Sequence, residues 1–313
     1  MNVQKRKIPI VFSADDNYCP FLAVALSSII DNASAGSFYK VYVLNTGISK
    51  ENYVKISKFN CDVMSIEFID VASRMDKINK DKIHLRDYYT KAIYYRIFIP
   101  SLFPQYEKIL YLDCDIVLVK DVADLYDYDV KDNIFVAIHE ETMTQYEVFG
   151  RYSEEFLGIK RERYFNSGIL LINSVEYRNQ KIEEKFIDFM HTHKFEVAPD
   201  QDYLNFLCKD KIGYAEIGWN KTPFDNDFDD ANLRLIHYKL NLKPWRYDGI
   251  RYEKFFWEYA SKTPYYADLI AMKENFTSDD KNADEIAFIK LQKTAEKYIK
   301  GEVNYKNFYH KKG

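Results

Sequence analysis

The sequence predicts an α/β fold with a mostly parallel sheet and helices on both of its faces. Three observations carry that prediction. Strand-like runs alternate with helix-like stretches through the first two thirds of the chain. No internal repeat is visible at the periods of solenoid proteins. The 313 residues, 47% hydrophobic and 29% charged, describe a folded chain long enough for one large α/β domain or two ordinary ones.

The elements follow in order. Ile8–Ser13 is a run of apolar residues of the kind a buried strand needs. Pro20 opens a helix with Leu22, Leu26 and Ile29 on one face, because a proline in the first turn gives up an N–H that has no partner there anyway. Phe38–Leu44 is the next strand. Ser49 is a helix N-cap for a run through Phe59. Met64–Val71 is strand-like again, and Tyr89–Ile99 reads as a helix stopped by Pro100. Ile109–Leu112, Ile134–Ile138 and Gly168–Ile172 are three further strands. Tyr177–His193 carries Ile182, Phe186, Ile187 and Met190 at helical spacing, and Pro199–Leu207 is a short helix with proline at its start. Beyond Trp245 the character changes. Tyr247–Tyr266 is crowded with aromatics, Ser278–Asp284 is polar, and Ile286–Ile299 is amphipathic and lysine-rich, so the tail reads as helical.

Composition narrows the function. Lys and Arg total 44 against 48 Asp and Glu, a net charge of −4, which argues against a nucleic-acid protein with a wholly basic surface. The 27 Tyr and 22 Phe read first as core filling. Cys19, Cys61, Cys114 and Cys208 lie far apart without a CxxC pair, which disfavours a cysteine zinc site and fits a reducing compartment. The basic start Met1–Lys7 is followed by an apolar run, Ile8–Phe12, too short for a signal peptide. No other run is long enough to span a bilayer, so the expectation is a cytoplasmic protein. P-loop, GxGxxG, HExxH and GxSxG signatures are all missing, which leaves kinase-like and dehydrogenase-like functions without support.

The sharpest local feature is Tyr111-Leu112-Asp113-Cys114-Asp115. In extended backbone Asp113 and Asp115 share a face while Cys114 turns away. Both acids sit at the carboxyl end of a buried strand, where ligands of open α/β sheets bind. Two carboxylates there repel each other unless a cation lies between them, and their oxygens suit Mg²⁺ or Mn²⁺. Ordinary surface acids at a strand exit are the plainer alternative, but acids that interrupt a long apolar run are costly without a purpose. Four weaker clusters accompany this pair. Ser13-Ala14-Asp15-Asp16-Asn17 lies between a strand and a helix and serves either nucleoside recognition or simple capping. His237, after the apolar Leu233–Ile236, is able to complete a metal site, and Lys243 is able to neutralise a phosphate; a half-buried histidine and a surface lysine are the ordinary readings. Tyr164-Phe165-Asn166-Ser167-Gly168 and Pro199-Asp200-Gln201-Asp202 each read as a turn or cap, or as binders of sugar hydroxyls.

Taken in order, six segments resemble the family 8 glycosyltransferases, retaining enzymes related to the lipopolysaccharide α-galactosyltransferases and α-glucosyltransferases and, more distantly, to glycogenin. The segments are IVFSADDNY at Ile10–Tyr18, YYRIFIPSLFP at Tyr94–Pro104, KILYLDCDIVLVKDVADLY at Lys108–Tyr126, YFNSGILLIN at Tyr164–Asn173, PDQDYLN at Pro199–Asn205 and IHYKLNLKPW at Ile236–Trp245. The resemblance implies a GT-A fold over residues 1–247, with residues 248–313 as a helical, aromatic and lysine-rich C-terminal appendage. It implies Asp113, Asp115 and His237 as ligands of Mn²⁺ or Mg²⁺. The donor site it implies, for a UDP-sugar, comprises Ser13, Asp15, Asn17, Arg96, Asp113, Cys114, Asp115, Asn166 and Lys243. Asp200 and Gln201 are implied beside the transferred sugar, as the catalytic pair. One departure stands out. The family often places Gly-Pro between the metal histidine and the lysine, where this chain has Lys239-Leu240-Asn241-Leu242, which puts the diphosphate contacts of that loop in question.

The implied activity is metal-dependent transfer of glucose or galactose from a UDP-sugar to a glycan, lipid-linked or protein-linked acceptor in bacterial surface glycan synthesis. A self-glucosylating, glycogenin-like primer and a non-catalytic nucleotide-sugar sensor are the alternatives. The tail aromatics Phe255, Phe256, Trp257, Tyr265 and Tyr266, with the lysines downstream, either dock the protein on the inner face of an anionic membrane or pack against the catalytic domain.

Overall fold

The structure is a computed structural model that describes residues 5–78, 83, 90–302 and 304–306. Met1–Gln4 and Tyr89, which enter the readings above, lie outside the described residues. Nine strands are present among them: β1 (Arg6–Ser13), β2 (Ser37–Asn45), β3 (Met64–Asp70), β4 (Lys108–Leu112), β5 (Ile116–Leu118), β6 (Phe135–His139), β7 (Phe165–Asn173), β8 (Ile212–Tyr214) and β9 (Leu235–His237). Seven of them form one sheet in the order β3-β2-β1-β4-β7-β6-β8. β1 pairs in parallel with β2 and β4, β2 with β3, and β6 with β8; β7 alone runs antiparallel, against both β4 and β6. β5 and β9 make a separate antiparallel ribbon. The mostly parallel sheet is as expected.

Burial explains the strand patterns. The last six residues of β1 and all nine of β7 are buried, as strands covered on both faces must be. Alternate residues feed two cores. Ile8, Ile10 and Phe12 of β1 join the helix Cys19–Asp31 on one face, while Val11 joins Ile97 and Phe98 on the other. Pro20 lies in the first turn of that helix, and Ser49 caps Lys50–Ser57 by accepting from the Asn52 amide at 3.3 Å.

Two expected helices are built differently. Lys91–Phe98 is a 3₁₀ helix that runs straight into an α-helical turn, Ile99–Leu102. Pro100 sits in the first turn of the new segment, where its missing N–H costs nothing, so it opens a turn instead of ending one. The Tyr177–His193 stretch splits into Ser174–Asn179 and Ile182–Thr192 around Lys181, whose φ is 52°. Tyr177 and Ile182 are both buried but five residues apart, too far round a continuous helix to share its inner face. The three-residue strands β8 and β9 and the short helical turns Glu141–Gln145, Glu147–Arg151 and Tyr152–Leu157 show no period long enough to read.

The tail is helical, with helices at Glu253–Ala260, Tyr266–Glu274 and Ser278–Lys300. Its buried residues join both cores. Phe256, Tyr259, Tyr265 and Leu269 pack with the β1 helix side, and Leu291, Ala295 and Tyr305 pack on the opposite side. Of the five tail aromatics, Phe256 and Tyr265 are buried and Tyr266 is 43% exposed. No helix among the described residues is long and apolar enough to cross a membrane.

Candidate active site

Sheet polarity gathers the functional loops at one edge. β1 and β4 are parallel, so Ser13 and Leu112 end together. β7 runs the other way, which brings its beginning, Phe165 to Gly168, to the same edge: the Asp113 amide donates to the Gly168 carbonyl at 2.8 Å. β6 then ends there too, with His139 opposite Phe165. The β5–β9 ribbon folds over this edge with Ile116 opposite His237, and the Tyr238 amide donates to the Asp115 carbonyl at 2.9 Å. A histidine 122 positions beyond Asp115 is thereby held against it by backbone pairing.

The three residues converge. One ligand atom from each of Asp113, Asp115 and His237 lies within 4.8 Å of the others. His237 Nε2 is 3.3 Å from Asp115 Oδ1 and 3.9 Å from Asp113 Oδ2. Each acid commits its second oxygen elsewhere. Asp113 Oδ1 accepts from Tyr111 Oη at 2.7 Å and Arg96 Nη2 at 3.0 Å, and Asp115 Oδ2 accepts from Lys243 Nζ at 2.8 Å. His237 Nδ1 lies 2.8 Å from Asn220 Oδ1. This contact holds the ring through Nδ1 and leaves Nε2 on the side of the two carboxylates. Three electron-rich atoms that face each other with their outer oxygens and nitrogen already tied are a donor set for a divalent cation, and the tying groups are what orient such ligands. Gly168 leaves the room: a Cβ there would sit 2.5 Å from Asp113 Oδ2 and 2.7 Å from His237 Cε1. Burial opposes ionisation of Asp115, but Lys243 and His237 outweigh it and hold its carboxyl well below the usual range.

The remaining predicted residues divide. Ser13, Arg96, Cys114, Asn166, Asp200 and Gln201 line the cleft together with Asp113, Asp115 and His237; Asp15, Asn17 and Lys243 do not. Asp15 caps the turn that follows it, accepting from the Tyr18 amide at 3.1 Å, and Asn17 is exposed. Lys243 is buried, its ammonium divided between Asp115 and the Tyr238 carbonyl at 2.9 Å. The Cys114 thiol is turned away toward the Ser13 carbonyl, and burial pushes its pKa well up. Arg96 ties four segments: it donates to the carbonyls of Ile93 and Ser167, at 2.9 and 2.5 Å, and pairs with Asp113 and, at 3.3 Å, with Asp200. Burial raises the Asp200 carboxyl despite Arg96 and the Ser167 hydroxyl. Gln201 Oε1 accepts from the Ser167 amide at 2.9 Å and from Asn166 Nδ2 at 3.1 Å.

Glu140 and Leu291 are among the cleft residues that escaped the sequence reading. Glu140 is buried, accepts from Asn166 Nδ2 at 2.6 Å and from Thr142, and is ion-paired with Lys239, which also lines the cleft. Burial opposes its charge, but Lys239 and Thr142 bring its pKa down to about 2. An acid at the end of the Ile134–Ile138 strand carries the same signal as Asp113. Leu240 also lines the cleft with φ at 54°, the left-handed conformation that a glycine would adopt without strain. For Leu291 of the C-terminal helix no local signal existed.

The sequence profile described as Glycosyl transferase family 8 matches residues 9–249. The chain belongs to that family. Relatives include General stress protein A of Bacillus subtilis (strain 168), 30% identical over 257 residues that cover 75% of this chain and 86% of the relative. Lipopolysaccharide glucosyltransferase WaaO of Escherichia coli (strain K12) is 26% identical, covering 76% and 72%. Among solved structures, the galactosyltransferase LgtC in complex with donor and acceptor sugar analogs matches with a TM-score of 0.66 at 26% identity, over 82% of this chain and 96% of that one. The bifunctional glycosyltransferase WbbM, at TM-score 0.74 and 22% identity, shares the fold over 88% of this chain and 52% of its own. The chain likewise spans 64% of a putative glycosyltransferase of Haemophilus influenzae that is 31% identical to it. The GT-A-like fold and the family 8 membership thus agree with the motif order.

Proposed function

We propose that this family 8 protein transfers glucose or galactose, with retention, from a UDP-sugar to a glycan, lipid-linked or protein-linked acceptor of the bacterial surface, with Mn²⁺ or Mg²⁺ held by Asp113, Asp115 and His237. The observation that carries the reading is the convergence of those three side chains. Charge supports it. Arg96 is already paired with Asp113 and Asp200, Lys239 with Glu140, and Lys243, behind the cleft lining, with Asp115, so a nucleoside diphosphate would need a divalent cation to balance its own charge. The names of its relatives, a lipopolysaccharide glucosyltransferase and a galactosyltransferase, support the hexose and acceptor classes.

When bound, the cation supplies Lewis-acid stabilisation of the charge that develops on the departing diphosphate. The chain's own residues do the rest. Tyr111 and Arg96 orient Asp113, Lys243 orients Asp115 and Asn220 orients His237, so the ligands need no rearrangement. Lys239 is the cleft cation nearest in sequence to the metal ligand and is placed for the diphosphate once it leaves Glu140. Asp200 and Gln201, held by Arg96, Ser167 and Asn166, bind hydroxyls of the transferred sugar. Gln201 is a poor nucleophile, and burial disfavours the ionised, nucleophilic form of Asp200. These facts favour same-face attack by the acceptor hydroxyl, its proton passing to the leaving phosphate, over a double displacement.

The test is hydrolysis of UDP-glucose, UDP-galactose and UDP-N-acetylglucosamine with and without EDTA. Release of UDP from one of the hexose donors, lost on chelation and restored by Mn²⁺, is expected; undiminished turnover in EDTA, or tight UDP binding with an intact donor, overturns the reading. Among the described residues, Tyr53 and Tyr266, 50% and 43% exposed, are the exposed tyrosines that the self-glucosylating alternative would offer, and a gain of mass by the protein itself would favour it.

A further inference from the structure

The cleft runs along the sheet edge from the β1 loop, with Ser13 and Tyr18, past the metal cluster to the β6 side. Its polar groups are accounted for by a nucleotide-sugar: cation ligands at β4 and β9, and hydroxyl partners at Asn166, Asp200 and Gln201. At the β6 end the lining turns apolar, with Met143, Phe149, Val197 and Leu291 in one hydrophobic cluster. The diphosphate and hydroxyls of a nucleoside diphosphate hexose do not match such a wall. Leu291 belongs to the helix Ser278–Lys300, which lies beyond the stretch 9–249 shared with the family.

That helix is fastened at three places. Asp284 accepts from Arg246 Nη1, 3.0 Å to each carboxylate oxygen, and from Tyr247 Oη at 3.0 Å, which ties it to the segment after Lys243. Phe288 lies 5.1 Å from the Tyr146 ring and 6.0 Å from the Phe149 ring, over the turns that follow β6. Tyr298 donates to Glu196 Oε2 at 2.6 Å, next to Val197. Leu291 stands between the second and third fastening points and is 7% exposed, so it is part of the packed wall of the cleft.

We propose that Leu291 is a specificity-determining residue for the acceptor, and that with Met143, Phe149 and Val197 it forms a subsite for an apolar group, alkyl or aryl, carried next to the accepting sugar. This rests on the transferase reading and adds the chemistry of the acceptor to it. A glycoside with an apolar aglycone buries that group against the wall, whereas a free sugar turns hydroxyls toward it.

Binding measured calorimetrically with UDP and Mn²⁺ present tests the proposal, with free glucose and galactose compared with their hexyl and phenyl glycosides. The wild-type protein is expected to bind at least one glycoside tighter than its parent sugar by about tenfold, the worth of roughly two buried methylenes. Preference for hexyl over phenyl, or the reverse, distinguishes an alkyl from an aryl aglycone. Leu291→Gln is expected to erase the preference and Leu291→Met to keep it; Leu291→Ala, expected to reduce it, replaces the Gln variant if thermal melts show that one unfolded. Equal binding of sugar and glycoside by the wild type, or an unchanged preference in a folded Gln or Ala variant, overturns the proposal. Metal-dependent binding of UDP, measured on the same samples, reports the nucleotide end separately. Its failure in the wild type would count against the transferase reading, while the aglycone preference would still be read by itself.

Discussion

At the residue scale, Asp113 and Asp115 are alike in type and unlike in surroundings. Asp113 is half-buried and leans on a tyrosine and an arginine, while Asp115 is buried and leans on a lysine. Each keeps one oxygen for the space it shares with His237. Asp113→Asn or Asp115→Asn puts an amide where a cation would need an anion, and is expected to lower donor turnover by at least about 100-fold and to abolish metal-dependent UDP binding by calorimetry. A folded variant that keeps wild-type affinity for UDP in Mn²⁺ would count against the site. Gly168→Ala reaches the same ligands through space alone. Its methyl would fall 2.5 Å from Asp113 Oδ2, so either the carboxylate or the β7 backbone must move. The expected result is a stability loss of about 1–3 kcal/mol in denaturant titrations together with weaker metal binding. A variant with both unchanged would mean that the site has slack the geometry does not show.

At the element scale, the loops after β6 and β9 are joined by Glu140 and Lys239, and the start of β7 joins them through Asn166. Glu140 titrates near 2 in the folded chain, below the ordinary 4.5. A depressed carboxyl stabilises the fold above its unfolded pKa and loses that contribution as pH falls through the folded one. The stability gap between wild type and Glu140→Gln, up to about 3 kcal/mol at neutral pH, is thus expected to close between pH 5 and about 2 in chemical denaturation. A gap independent of pH would mean that the pair contributes no charge term. Asp200 has the opposite sign. Its raised pKa makes ionisation a cost to folding above the ordinary carboxyl range, and Arg96 keeps Asp113 and two carbonyls without it. Asp200→Asn is expected to melt higher than the wild type at pH 7, with the advantage gone at low pH, while transfer falls. Lower stability at neutral pH would show that the Arg96 pair outweighs burial. Such chemistry was only partly legible in the sequence. Asp113, Asp115 and His237 announce themselves as polar residues that end apolar runs, and β1, β2, β4 and β7 are runs long enough to read. For Lys243 the sequence shows the charge but not Asp115 beside it. Glu140 ended a strand as visibly as Asp113 did; its role depends on Lys239, 99 positions away.

At the scale of the whole molecule, the C-terminal helix decides whether the tail is an attachment or part of the fold. Leu291, Ala295 and Tyr305 are buried in the same cluster as Tyr94, Phe149 and Phe195, and Tyr305 packs its ring 5.1 Å from Phe195 and 5.2 Å from Phe156. The Tyr305 amide also donates to the Phe156 carbonyl at 2.7 Å, so even the backbone of the tail closes hydrogen bonds of the turn Tyr152–Leu157. Removing everything after Asn275 would expose that aromatic cluster and leave Arg246 without Asp284. Burial of Tyr305 and Leu291, roughly 1.5–3 kcal/mol for each, with the partly buried Phe288 and Tyr298 beside them, is worth several kcal/mol against a total stability of about 5–15 kcal/mol. The truncated chain is therefore expected to melt far below the full-length protein in circular dichroism, by ten degrees or about that order, and to bind hydrophobic dyes at 25 °C. The fastening explains why: Asp284, Phe288 and Tyr298 hold three segments that come from different parts of the chain, and without them the loops that follow β6 and precede Asp200 lose a common support. A truncation that melts at the full-length temperature with no dye binding would show that the sheet and its first cores suffice, and that the helix serves the cleft alone.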